Sequence, residues 1–314
     1  MHENFKHYKI FSRYPWINPD INCTPPYLVI GDDLDSLLSA ALWNHASSRD
    51  WIIIGIYHKY SKIFTSTRYS EDLEKAIWLD LDINSWDIKS LGHHLILDNN
   101  SRLPGNNHLN LNYLRNVSLD NFKQKYPLGT IHFLMFLFNQ EIPQRKYARE
   151  MILSADSSWI NGQPRRFHEN VKDWIYQCLP LQSLQASQNE FGKLEFEKSM
   201  QQYFDYLNSN NVPQGAGQVS SEHLKLTGYQ FQFDPGQKKV LNNYFTIIEN
   251  ITGWCPPKIT NFDKKIMGTR KKTRLNKNKS LKLSKIIESD RIFSYVFPKK
   301  GYINYTIDVN LNSG

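Results

Sequence analysis

The sequence predicts an α/β fold, a parallel sheet wrapped by helices, with a second, smaller α+β domain. Three observations carry this. In the first half, short apolar runs of strand length alternate with stretches of helical period. Several runs end in acidic residues, and open α/β sheets place their ligands at the carboxyl ends of strands. Near the end, two strand-like segments flank Lys299-Lys300-Gly301, the pattern of a β-hairpin.

The elements follow in order. Residues 27–30 (Y-L-V-I) suit a buried parallel strand, Gly31 punctuates it, and residues 36–46 have the period and Leu/Ala content of a helix. Residues 51–57 predict a second strand, 71–75 a short helix, 77–80 a third strand, and 94–97 a fourth with His93-His94 at its head. Residues 127–139 form an almost wholly apolar helix that must be buried, and His132 within it is expected to be a core histidine. The polar stretch 157–166 ends in Arg165-Arg166, and helices are expected over 169–178 and 192–208. A turn-rich connection spans 209–220, and residues 292–298 and 302–309 make the hairpin. The expected domains are residues 1–185 and 186–314.

With 314 residues, 40% apolar and 13% aromatic, the chain is long enough for two cores. Cys23, Cys178 and Cys255 are too scattered for a disulfide framework or a zinc knuckle. No apolar run approaches the roughly 18–20 residues of a membrane span. The start M-H-E-N-F-K-H-Y-K lacks the apolar region of a secretory signal, so a soluble cytoplasmic protein without a membrane partner is expected. The net charge of +8 is uneven: between Lys258 and Lys285 eleven Lys/Arg face the single acid Asp263. This basic segment (258–285) reads as a nucleic-acid contact, with Arg270, Lys271, Lys272, Arg274, Lys277 and Lys279 at its heart, because clustered cations displace the counterions condensed on phosphate. Its other reading is a solvated basic loop. Aromatics are absent from residues 268–285, so it would grip backbone rather than stack on bases.

The chemistry concentrates in four places. Asp32, Asp33 and Asp35 follow the first strand, where one of them also suits a helix N-cap. Asp80 and Asp82 close the apolar run A-I-W-L-D-L-D-I, His93 and His94 stand in L-G-H-H-L-I-L-D, and Asp156 follows an apolar run in M-I-L-S-A-D-S. Carboxylates and imidazoles converging from strand ends make a mixed O/N site suited to manganese, and no thiolate set for zinc is on offer. Two metals ~3.5–4 Å apart can clamp the attacking and leaving oxygens of a phosphoryl transfer.

The order D-x-D, D, H-H, D resembles the four motifs of the DHH phosphoesterase superfamily, and G-D-D-L-D-S-L-L-S-A-A-L is most similar to the first motif of its RecJ-like branch. The resemblance covers the chain to about residue 160 and implies two divalent ions, Mn2+ with Mg2+ as an option. It implies Asp33, Asp35, Asp80, His93 and Asp156 as metal ligands, with Asp80 bridging both ions and His94 contacting the substrate phosphate. Asp80 and His94 are thus the expected catalytic residues. Asp82 is an alternative bridge, since residues two apart on a strand share a face. The departures are specific. Gly92 stands where the triplet carries its aspartate, Ser36 replaces a glycine, and Val29 occupies the position of a histidine that the RecJ-like branch also lacks. Gly215-Ala216-Gly217 has no following histidine, so the superfamily's substrate-binding domain is not carried over.

The expected function is a metal-dependent phosphodiesterase, a nuclease acting on single-stranded DNA or RNA. The alternative is a DHH-like scaffold, disabled at Gly92, that binds nucleic acid or a protein partner. A small-phosphoester hydrolase is disfavoured by Val29. A haloacid-dehalogenase reading of I-W-L-D-L-D-I-N is disfavoured by Asn84 and by the strand-helix unit that precedes it.

Overall fold

The computed structural model describes residues 2–20, 25–96, 105–164, 167–212, 221–226, 233, 236–275 and 292–311. The chain forms two compact units that interleave in sequence. A helical unit comprises Met1–His7, Asp32–Ala46 and Pro127–Pro256, and a sheet unit comprises Tyr8–Gly31, Ser47–Tyr126 and Pro257–Gly314.

In the sheet unit, β1 (Tyr27–Ile30), β2 (Ile52–His58), β3 (Lys62–Thr65), β4 (Ile77–Leu79), β5 (Lys89–Gly92), β6 (His108–Asn110), β7 (Lys258–Ile259) and β8 (Lys264–Met267) build one mixed, mostly parallel sheet. Its order is β6-β5-β4-β1-β2-β3-β8, with β7 against β2. Strands β6, β5, β4, β1 and β2 run parallel, β3 runs against them, and β8, antiparallel to β3, runs with them again. A second sheet is antiparallel, order β10-β11-β9, from β9 (Thr269–Arg274), β10 (Ile292–Lys299) and β11 (Tyr302–Ile307). The expected hairpin is β10–β11. Val29, Ile54, Tyr57, Trp78, Ile83 and Phe293 share one core cluster. Within it the Tyr57, Trp78 and Phe293 rings meet edge to face at 5.4–6.1 Å, the geometry aromatic quadrupoles favour. Short helices α1 (His7–Arg13), at whose first residue the chain passes between units, and α3 (Leu111–Leu114) complete this part.

The helical unit contains α2 (Leu34–His45), α4 (Thr130–Leu137), α5 (Ala148–Ser154), α6 (Ser158–Asn161), α7 (His168–Gln177), α8 (Gln182–Gln188), α9 (Leu194–Ser209) and α10 (Lys238–Thr252). Helix α2 is buried from Leu34 to Trp43 on every face, which its small Ser36, Ser39, Ala40 and Ala41 permit. Helix α4 is buried throughout, and His132 sits in the core as expected, taking the Gly129 N–H on Nδ1 at 3.1 Å. No helix among the described residues is long and apolar enough to cross a membrane.

Two expectations are corrected. The helix after β1 begins at Leu34 rather than residue 36, because Asp33 caps it. The histidines do not head a strand: β5 ends at Gly92, and His93-His94 leave its carboxyl end. Residues 89–92 pair with β4 and β6, whereas buried Leu95 and Ile96 leave the sheet, the Leu95 carbonyl accepting from Phe297 of β10 at 2.8 Å. The apolar run before Asp156 is the helix α5. The turn-rich stretch at 213–220, Arg165, Arg166 and Cys23 lie outside the described residues.

Candidate functional site

Each unit assembles part of the predicted constellation. In the sheet unit the chain runs from β1 to β2 on one side of β1 and later returns to β4 on the other. The carboxyl ends of β1 and β4 are therefore the switch point where α/β sheets bind ligands. Asp80 is the first residue past β4 and His93 the first past β5. Both are buried, and His93 Nδ1 lies 3.0 Å from Asp80 Oδ1. Asp80 holds a left-handed backbone (φ 60°), a strained state that aspartate tolerates and that clusters at functional sites. The loop after β4 is clamped beyond it: Ile83 bridges Ser294, and the Asn84 N–H donates to the Phe293 carbonyl at 2.7 Å.

The Asp82 carboxylate, the alternative bridge, is held by four hydrogen bonds. It accepts from the His94 N–H and Nδ1 at 3.1 Å each, from His108 Nε2 at 3.2 Å and from Asn110 Nδ2 at 2.6 Å. Burial pushes this carboxyl up, but the bonds from His108 and His94 and their charge outweigh it and hold the group well below the usual range. A Cβ on Gly92 would lie 2.2 Å from Asp82 Oδ1. The space beside Gly92 is thus filled by a carboxylate from the neighbouring strand end. The rings of His93 and His94 stack at 4.4 Å, and the His93 carbonyl accepts from Asn112 at 2.6 Å.

In the helical unit, Asp33 Oδ1 accepts from the Ser36 N–H at 3.0 Å, the N-cap reading of that residue. Asp35, 1% exposed, accepts the Thr130 and Ile131 N–H groups at the start of α4, at 2.6 and 2.9 Å. A helix N-terminus stabilises such a charge. This approach requires Gly129, whose Cβ would stand 2.7 Å from the Asp35 carboxyl carbon. Asp156 is exposed, and it and Ser157 are both left-handed (φ 49° and 55°). A carboxylate oxygen of Asp35 and one of Asp156 lie within 4.8 Å of each other. Two carboxylates so close favour a shared proton or a cation. The Asp35–Asp156 pair offers carboxylate oxygens, and paired acids of this kind fit a hard or borderline divalent ion.

The basic candidates Arg270, Lys271, Lys272 and Arg274 all lie on β9, an edge strand, exposed. Strand alternation puts Arg270, Lys272 and Arg274 on one face and Lys271 on the other. Lysine and arginine also shield a sheet edge from mispairing. Lys258 is paired with Asp50 at 2.6 Å. Lys277 and Lys279 lie outside the described residues. Sequence reasoning missed His108, Asn110 and Gly129. For the first two a signal existed, polar residues two apart in the run H-L-N, hence on one face of β6. For Gly129 there was none.

No family model matches the chain, and no curated protein matches its sequence.

Proposed function

We propose that the chain is a DHH-type phosphodiesterase of the RecJ-like branch that cleaves single-stranded nucleic acid with divalent metal, Mn2+ before Mg2+. The observation that carries the reading is the approach of Asp35 and Asp156, first-motif and fourth-motif acids far apart in sequence, to within 4.8 Å. Under it, Asp33, Asp35 and Asp156 of the helical unit and Asp80 and His93 of the sheet unit are the metal ligands. The chemistry that bound ions supply to such a set is acidification of water and neutralisation of phosphate charge. The protein's own residues do the rest. Asp80 fixes His93 through Nδ1, leaving Nε2 as the ligand atom. Asp82 takes the Nδ1–H of His94, which leaves Nε2 to meet a phosphate oxygen and donate to it when the ring carries a second proton.

The competing scaffold reading rests on Gly92, and the Asp82 carboxylate in that space argues against it. The test is cleavage of labelled single-stranded DNA and RNA with manganese. Activity is expected in the wild type and lost in Asp80→Asn, which removes one charge at nearly constant volume, with circular dichroism unchanged. A folded wild type that hydrolyses neither strand with manganese or magnesium would establish the scaffold reading instead.

A further inference from the structure

Within the sheet unit, next to His94, a cleft of about 180 Å³ opens between the small sheet and the β2–β3 turn. Tyr60, His94, Arg270, Tyr295, Asn304 and Tyr305 line it, and among the described residues no acid does. Tyr60 is the hub. Its ring meets that of His94 edge to face at 6.2 Å, its hydroxyl stands 3.5 Å from His94 Nε2, and the Arg270 guanidinium lies 5.4 Å from its centroid. Arg270 is itself steadied by the Lys59 carbonyl at 3.4 Å, and the Thr306 hydroxyl donates to the Tyr60 carbonyl. An imidazole and a guanidinium thus flank one aromatic ring. Asn304 adds an amide whose Oδ1 is buried without a hydrogen-bond partner.

We infer that this cleft is a nucleotide subsite: Arg270 and His94 take the phosphate, and the tyrosines take the base. A guanidinium and an imidazole lining one cleft favour an anion, and aromatic faces accept any base by stacking. A base can also lie against the tyrosine rings, which a bare phosphate or a sugar phosphate cannot exploit by stacking. The sheet carrying Arg270 also carries Lys272 and Arg274 on the same face, a path along which the strand's phosphates can continue. The subsite rests on the phosphodiesterase reading only for its role, holding one nucleotide of the substrate beside His94. Binding itself needs no metal.

The experiment is calorimetric titration of the full chain in EDTA with AMP, CMP, ribose 5-phosphate, inorganic phosphate and a five-nucleotide oligomer. Saturable binding of the nucleotides is expected, at least tenfold tighter than ribose phosphate or phosphate alone. Arg270→Gln should weaken it about tenfold or more, and Arg270→Lys, which keeps the charge and loses the planar fork, should weaken it less. A tighter oligomer identifies the ligand as a strand's terminal unit, and equal affinity identifies a free nucleotide; both support the subsite. No saturable nucleotide binding by folded protein, or identical binding by Arg270→Gln, overturns it. Failed hydrolysis with intact binding in EDTA overturns only the catalytic reading, and hydrolysis without such binding overturns only the subsite.

Discussion

The exchange between positions 82 and 92 is the sharpest residue-scale feature. Gly92 is the condition for Asp82 to receive His94, His108 and Asn110. Gly92→Asp alone should therefore destabilise the protein by about 2–3 kcal/mol, since overpacking costs about 1–3 kcal/mol and here brings a second buried charge. Adding Asp82→Gly should recover much of that loss, because the carboxylate is then supplied from position 92. Urea denaturation of both single variants and the double variant measures the coupling, and strictly additive losses would refute the exchange. Asp82 also sets a pH dependence. Its folded-state pKa lies below the unfolded value, so its contribution is complete above about pH 4 and lost as pH falls further. Asp82→Asn should flatten the acid limb of stability against pH below about pH 4, while an unaltered limb would deny the group that role.

Among elements, β9 turns a basic composition into a directed surface. A strand presents alternate residues to opposite faces, so of four adjacent candidates only Arg270, Lys272 and Arg274 can engage one phosphate backbone together. Replacing these three with Gln should flatten the log K against log salt slope for single-stranded DNA by about 2 units, if each neutralises one phosphate at about 0.7 per contact. Lys271→Gln should change it by a small fraction of that. Filter binding across a salt series measures both, and an equal effect of Lys271 would return β9 to the status of a shielded edge. On α2, the short spacing from Asp33 to Asp35 separates two tasks. Asp33 caps its own helix, and Asp35 reaches the N-terminus of α4 over Gly129.

For the whole molecule, the interleaving of the two units matters most. The sheet unit needs residues 257–314 for β7 to β11, and the helical unit needs α7 to α10 beyond residue 166. A fragment of residues 1–185 should therefore fail to fold cooperatively, showing no sigmoidal urea transition and dispersed amide signals only in the intact chain. A fragment with a two-state transition would mean that residues 1–185 need nothing from the rest.

Much of the fold was legible because local pattern determines it. The apolar runs at 27–30 and 77–79, the buried α4 and the β10–β11 hairpin answer to period and turn chemistry alone. The residue types of the candidate site, oxygens and imidazoles without thiolate, were likewise in the sequence. The tertiary structure decided what depends on neighbours distant in the chain. Strand pairing placed His93-His94 at the end of β5 rather than the head of a strand, because β6 on one side and β10 beyond it compete for backbone hydrogen bonds. Packing made Gly92 and Gly129 obligatory, since whether a Cβ fits depends on a carboxylate 10 or 94 positions away. Asp82 acquired two of its three side-chain donors, His108 and Asn110, only when β6 was laid beside β5, a contact that no local periodicity encodes.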